Sequence, residues 1–144
     1  MSRSGAMDRI DALLGGITDP AFVSVLRGEP LAISGTPVLA FWFSTRDTVS
    51  ETLTDTTSSV SFTIRAYFRM QSSQDVRESI ELAMWNASYE IDRVLRSDAN
   101  LAGHVSDSSV GPSQAGFTDI GGVAYRTLDV TFRVEILGDV TITP

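Results

Sequence analysis

Few side chains in this sequence could carry out nucleophilic catalysis. The single histidine, His104, lies beside Ser106, Asp107 and Ser108. A Ser–His–acid site needs a base next to the nucleophile and an acid that orients the base. No Gly-x-Ser-x-Gly motif accompanies His104, and a Ser-rich segment places serines near any residue by composition alone. We therefore interpret His104 as a surface side chain and predict that the chain is not an enzyme.

Metal and cofactor sites are equally poorly supported. Three acidic residues, Asp47, Glu51 and Asp55, are spaced by four, but the turn-forming glycine of a calcium loop is absent. There are no cysteines, and neither glycine-rich phosphate-binding motif occurs. The sequence thus predicts no catalytic, metal-binding or cofactor-binding residues and no cofactor, and the three carboxylates are expected to keep a loop soluble.

The charge pattern points to protein partners. The net charge is −7, which disfavours DNA or anionic lipid as the primary ligand. The 11 basic residues are all arginine, a side chain suited to fixed, planar contacts with carboxylates. Two interpretations remain open for these arginines: ordinary surface ion pairs, or pairing between subunits across a sheet face. No apolar run approaches the ~20 residues of a membrane helix, so we expect a cytosolic product with no membrane partner.

Hydrophobic periodicity predicts the elements that would position these side chains. An apolar run at residues 38–43 and alternating patterns at 60–70 and 123–136 predict strands. Helical spacing predicts a short helix at 7–14, a second short helix within 19–28 and a long helix in the segment from Ser72 to Asp98. We expect Trp42 in the core or a subunit interface, and Trp85 at the edge of the packed helix face.

These elements predict an α+β fold in one domain over residues 1–144. The sheet is expected to be mainly antiparallel, with about four strands and with the long helix and the short N-terminal helix packed on one face. Polar composition predicts long loops at about 44–59 and 101–122. The polar strand faces that remain would be solvated or form an interface.

The layout resembles that of the tail terminator, or tail completion, proteins of long-tailed bacteriophages. The similar stretches are a short N-terminal helix (MDRIDALL), a strand preceded by proline (TPVLAFWFS), a second strand (VSFTIRAYFRM), a central helix that starts QDVRESIELAMW, the exit NLAGHV and a terminal strand (YRTLDVTFRVEI). The exit matches a Leu-x-Gly-x-Val pattern at Leu101, Gly103 and Val105. The resemblance covers nearly the whole chain.

The resemblance implies a virion protein in the neck region of the tail, assembled in the host cytoplasm. Such a protein forms a homo-hexameric ring that ends polymerisation of the major tail tube protein and meets the head–tail connector or stopper protein. DNA passes through the hole without specific binding, and no reaction is catalysed. Ring closure needs a heterologous interface, for which exposed polarity suggests two strand and loop surfaces: Arg65, Tyr67, Arg69, Thr48, Glu51 and Asp55.

Two other functions stay open at this stage. The chain resembles other neck proteins, of the head-completion or minor capsid type, in length and elements. It could also be a monomeric α+β domain that binds a small ligand between the sheet and the long helix. A hydrolase ranks last, because no nucleophile and base pair is apparent.

Overall fold

The structure, a computed structural model, describes residues 2–51, 56–70 and 73–138. Within them the chain forms an α+β fold with two helices and one mixed sheet of five strands. The elements are, in chain order, α1 (Arg3–Gly15), β1 (Val25–Arg27), β2 (Val38–Glu51), β3 (Thr56–Arg69), α2 (Gln74–Arg96), β4 (Asp107–Ile120) and β5 (Val123–Leu137).

The sheet has the order β1-β2-β3-β5-β4, so the last strand of the chain is inserted beside the central one. Strand β1 is parallel to β2, and the other three pairings are antiparallel. Helix α2 connects β3 to β4, which lies two positions away in the sheet. A tight turn at Gly121 and Gly122, both with positive φ, joins β4 to β5; this conformation suits glycine and the twist of a hairpin.

The main core lies between one face of the sheet and both helices. From α1 it takes Ala6, Ile10 and Leu14, which recur at helical spacing, and from α2 it takes Met84, Ala87, Ile91, Val94 and Leu95. The alternate residues of the central strands complete it: Phe62, Ile64, Ala66, Leu128, Val130 and Phe132. The predicted core faces of β3 and β5 are confirmed, and the predicted arrangement of the helices agrees with the structure only roughly.

Arginines join the layers around this core. Arg9 of α1 is bonded to Asp98 just beyond α2, with 2.7 Å between Nε and Oδ2. Arg27 of β1 reaches back to Asp8 and Asp11 of α1. Arg126 of β5 donates to Glu81 of α2 and to the Gly116 carbonyl of β4. These arginines therefore link one helix or strand of the chain to another through ion pairs and hydrogen bonds.

On the opposite face of the sheet, here called the open face, no helix of the described residues is packed. A small apolar cluster at one end of it consists of Val38, Ala40, Tyr67 and Tyr125, with Leu26, Ile33 and Trp42 packed against them. Further along, small hydroxyl side chains such as Ser59, Ser61 and Thr63 cover the strands. The open face is therefore apolar at one end and polar at the other, where Arg133 and Glu135 of β5 lie beside Ser61 and Ser59.

Three sequence predictions of local structure are wrong. The predicted loop at 101–122 is mostly strand β4, because Gly121–Gly122 folds this Ser-rich segment back along β5 over 14 residues. The predicted loop at 44–59 is mostly β2 and β3, and only residues 52–55 fall outside both strands and outside the described residues. In place of the helix predicted within 19–28 there is β1, because Val25 and Leu26 pack into clusters on opposite sides of the sheet, as successive strand residues do. With β1 and β4 the sheet has five strands rather than about four.

Candidate protein interface

Arg65 is the most strongly held charge on the open face. Its guanidinium donates two hydrogen bonds to Asp129 on the neighbouring strand, of 2.6 and 2.9 Å. The same group lies 5.3 Å from the ring centroid of Trp42 and 5.9 Å from that of Tyr67, within the range of a cation–π contact. The bonds to Asp129 raise the pKa of Arg65, while burial raises the pKa of Tyr67.

The six predicted interface residues are divided among different environments. Arg69 is exposed at the end of β3, and Thr48 is exposed on β2. Tyr67 is fully buried against Tyr125, and Arg65 already has an acidic partner in its own chain. Glu51 is the last residue of β2, but its side chain and the whole of Asp55 lie outside the described residues. A contact role for Tyr67 would need an accessible ring, so Arg69 and Thr48 fit an interface better than Tyr67 does.

Helix α2 presents an apolar surface to solvent. Leu82, Trp85 and Tyr89 follow one another at spacings of three and four, which places them on one side of the helix. Their exposed fractions are 57%, 62% and 65%, and the two aromatic rings lie 6.5 Å apart. These three residues, here called the α2 stripe, point away from the sheet because the buried residues Met84, Ala87 and Ile91 occupy the opposite side. Trp85 was expected at the edge of the packed face and is instead on the outer side.

A signal for the α2 stripe was present in the sequence. The long helix carries apolar residues at more positions than one buried face can use, since Leu82, Trp85 and Tyr89 lie outside the series 80, 84, 87, 91, 94 and 95. A second apolar side on an amphipathic helix indicates a second packing partner. Within the described chain no element covers this side.

An apolar groove opens between the first turns of α1 and the sheet. It has a volume of about 360 Å³ and is lined by Ala6, Met7, Phe43, Val60, Val134 and Ile136 among others. Phe43, on the rim, is 57% exposed. The groove contains few polar groups that could orient a ligand, Arg3 and Arg46 being its charged residues.

The structure places His104 and one of the three acidic residues that the sequence analysis considered. His104 is half-buried and lies against the backbone of Gly5, where a Cβ atom would come within 2.4 Å of the imidazole. Among the described residues there is no group of three His, Cys, Asp or Glu side chains that could hold a metal ion. Of the three carboxylates once considered for calcium, only that of Asp47 can be placed, on the exposed part of β2.

Comparison with known proteins does not assign the chain to a family. No family model matches the sequence, and no curated protein matches it. In the part of the chain that the structure describes, no helix is long and apolar enough to cross a membrane.

Proposed function

We propose that this chain is a structural neck protein of a long-tailed bacteriophage, of the tail terminator type. In this role it forms a six-fold ring at the head-proximal end of the tail tube, stops polymerisation of the major tail tube protein and offers a surface to the head–tail connector or stopper protein. It is a component of the virion, assembled in the host cytoplasm, and it catalyses no reaction.

The α2 stripe is the observation that carries this proposal. Leu82, Trp85 and Tyr89 form an exposed apolar surface, and contiguous surfaces of this kind mark sites of protein–protein contact. Aromatic residues are also enriched where binding energy is concentrated in an interface. A subunit with such a surface on its outer helix is suited to contact another protein.

The charge distribution supports a passage for DNA rather than a DNA-binding surface. The chain has a net charge of −7. On the open face, the guanidinium of Arg65 is neutralised by Asp129, and small hydroxyl side chains cover the neighbouring positions on β3. The net negative charge of such subunits disfavours the retention of phosphates, so DNA could pass through the hole of the ring.

The first test is the assembly state of the purified chain, measured by size exclusion with light scattering. The measurement is made with and without tail tubes of the phage that encodes the chain, followed by negative-stain imaging of the tube ends. We expect a ring, or a monomer that caps one end of each tube and limits tube length. A chain that ignores tubes but binds the connector would instead be a head-completion or minor capsid protein. A chain that does neither would contradict a neck function.

Variants of the α2 stripe sharpen this test. Replacing Trp85 and Tyr89 with alanine removes exposed apolar surface and leaves the buried side of α2 intact. We expect tube capping or connector binding to be lost, while the free energy of unfolding changes by only about 0.5 kcal/mol. The matched control is Leu31→Ala, a residue 95% exposed in the loop before β2, which should behave like the parent chain.

A second candidate function is supported by the apolar groove. Its volume of about 360 Å³ lies within the range of small-ligand sites. On this alternative the chain is a monomer that is stabilised by an apolar ligand. The test measures binding of a fluorescent hydrophobic probe such as ANS to the parent chain and to the variant Val60→Trp, which fills the groove. Binding to the parent chain that is lost in the variant would support a ligand site. Absence of probe binding to the native chain would argue against it.

A further inference from the structure

The outer edge of β2 is unpaired over most of its length. Strand β1 pairs with Leu39, Ala40 and Phe41 alone, although β2 continues to Glu51. No described strand lies beside the outer edge from Trp42 onward. The side chains from Phe43 to Val49 are exposed. Half of a long strand therefore presents free backbone donors and acceptors on this side of the sheet.

The other side of the sheet ends in a second open edge. Strand β4 is the last strand of the sheet and extends over 14 residues, from Asp107 to Ile120. Its partner is β5 on one side, and no described element pairs with the other. A bulge between Val110 and Ser113 interrupts its register with β5, and β2 has comparable irregularities after Phe43 and Thr48. Bulges of this kind bend a strand and are common at the rims of closed sheets.

The two edges match in direction. Three successive antiparallel pairings separate β2 from β4, so β4 runs opposite to β2. If copies of the chain are related by rotation about an axis roughly along the strands, strand directions are preserved from copy to copy. The β4 edge of one copy then meets the β2 edge of the next in antiparallel orientation. The junction would repeat the pairing found throughout the rest of β2, β3, β5 and β4.

We propose that copies of this chain assemble by pairing the outer edge of β4 with the free part of the outer edge of β2 in the next copy. The inference rests on the proposed ring and names the contact that closes it. The contact is heterologous, so each copy uses one edge of each kind and the series can close on itself. All helices then lie on one side of the continuous sheet, and the open face lies on the other.

Charge disfavours a second β4 as the occupant of the β4 edge. Strand β4 carries Asp107 and Asp119 near its ends and no basic residue. Antiparallel pairing of two β4 edges would bring the acidic end of each strand toward the acidic end of the other, and like charges placed opposite each other destabilise a sheet. The free part of β2 carries Arg46 together with Asp47 and Glu51, so charge alone does not select it as the partner of β4. Pairing two β2 edges would leave both β4 edges open, whereas β4 with β2 uses both.

Disulfide trapping tests the contact directly, because the chain contains no cysteine. Thr45 and Ser109 lie on one row across the sheet, through Ser61 and Arg133. Three strand spacings, about 14 Å, separate them within one chain, which is too far for a disulfide. Any bond between cysteines at these positions must therefore join two copies.

The experiment combines Thr45→Cys with one cysteine on β4, at Asp107, Ser109 or Gln114. These three exposed positions lie on the same face as Thr45 and sample successive registers. The variants are oxidised in the purified chain and in its mixture with tail tubes, and then separated on a denaturing gel without reductant. We expect at least one pair to give a ladder of covalent oligomers beyond the dimer, which ends at the number of copies in the ring.

Controls separate this contact from other modes of association. Each single-cysteine variant can give no more than a dimer. The pair Thr45→Cys with Leu82→Cys reports the alternative in which the α2 stripe packs on a neighbour's sheet. A ladder from that pair alone, dimers alone, or monomers under every condition would overturn edge pairing.

The outcome is separable from that of the proposed function. Tubes capped by a chain whose edge cysteines do not cross-link would leave the neck function standing and reject the edge contact. A ladder from the β2–β4 pairs in a chain that never caps tubes or binds the connector would establish the edge contact and reject the neck function.

Discussion

Arg65 and Asp129 are direct cross-strand partners on β3 and β5, and two hydrogen bonds join the guanidinium to the carboxylate. The two residues are 64 positions apart in sequence, and their strands are adjacent near the centre of the sheet. Because Trp42 and Tyr67 flank the guanidinium, the pair is partly shielded from water. An ion pair that could have joined two subunits is thus satisfied within one.

Breaking this pair should destabilise the subunit. Asp129→Ala leaves the Arg65 guanidinium, 22% exposed, without its acidic partner, and we expect a loss of about 1–3 kcal/mol in the free energy of unfolding. The double variant Arg65→Met with Asp129→Ala should cost less than the sum of the two single changes. Urea denaturation measures all three.

The exposed pair Arg93–Glu90 on α2 provides the control for this cycle. Its arginine side chain is 64% exposed, and surface pairs at this spacing contribute about 0.5 kcal/mol or less. Equal coupling energies for the two pairs would contradict the view that shielding strengthens the bond between Arg65 and Asp129.

Asp98 should make the stability of the chain sensitive to acid. The hydrogen bond from Arg9 lowers its pKa below the ordinary value, and the Ala102 amide contributes a further bond. Since the folded pKa is lower than the unfolded one, the unfolded chain binds more protons in the interval between them. The stabilisation is therefore fully present above the unfolded pKa, about 4, and is lost as the pH falls through the folded pKa.

The substitution Asp98→Asn tests this dependence. At neutral pH we expect the variant to be less stable than the parent by about 1 kcal/mol, and the difference should shrink as the pH is lowered below about 4. Thermal unfolding followed over this pH range gives the comparison. Asp92→Asn, on the exposed pair with Arg96, is the matched control. A difference between Asp98→Asn and the parent that is constant with pH would disprove the linkage.

Gly5 and His104 should show strong non-additivity. A methyl group at Gly5 would lie 2.4 Å from the imidazole, so Gly5→Ala forces His104 to move. In a His104→Ala background the same change meets no ring, and alanine should stabilise α1 by about 0.5–1 kcal/mol through its higher helix propensity. Gly15, at the other end of α1, has open space around its Cβ position. Gly15→Ala should therefore have the same effect in both backgrounds, measured by chemical denaturation, and a similar result for Gly5→Ala would refute the steric contact.

The elements that the sequence predicts well are those whose side chains separate cleanly into two faces. Helix α2 and strands β3 and β5 have this property, because each packs one face on the same core. Strand β4 does not: Ser113, Gly116 and Thr118 carry little hydrophobic signal, and its conformation is imposed by the glycine turn and by β5. Strand β1 is too short for a periodic pattern, and its existence depends on β2, which is distant in sequence.

The candidate interface was harder to predict than the fold. Alternation correctly places Arg65, Tyr67 and Arg69 on one face of β3, but it cannot tell a solvated face from one that carries its own apolar cluster. Tyr67 is buried because Tyr125 and Val38 come from two other strands. The prediction for Trp85 is wrong because a large apolar side chain is expected to be packed, whereas helical spacing puts it on the far side of the helix from Ala87, where it is exposed. Hydrophobic periodicity shows which positions are apolar, but it does not identify a partner outside the chain that would cover them.

The sheet order also constrains when this chain can fold during synthesis. Strand β3 occupies the centre of the sheet, yet its second neighbour, β5, leaves the ribosome after the other described strands. Until then the β2–β3 hairpin has a long unpaired edge, and long-range pairing of this kind forms slowly. The segment before β5 therefore lacks the strand that completes the centre of the sheet. Truncation before β5 should yield an aggregation-prone fragment rather than a smaller folded domain.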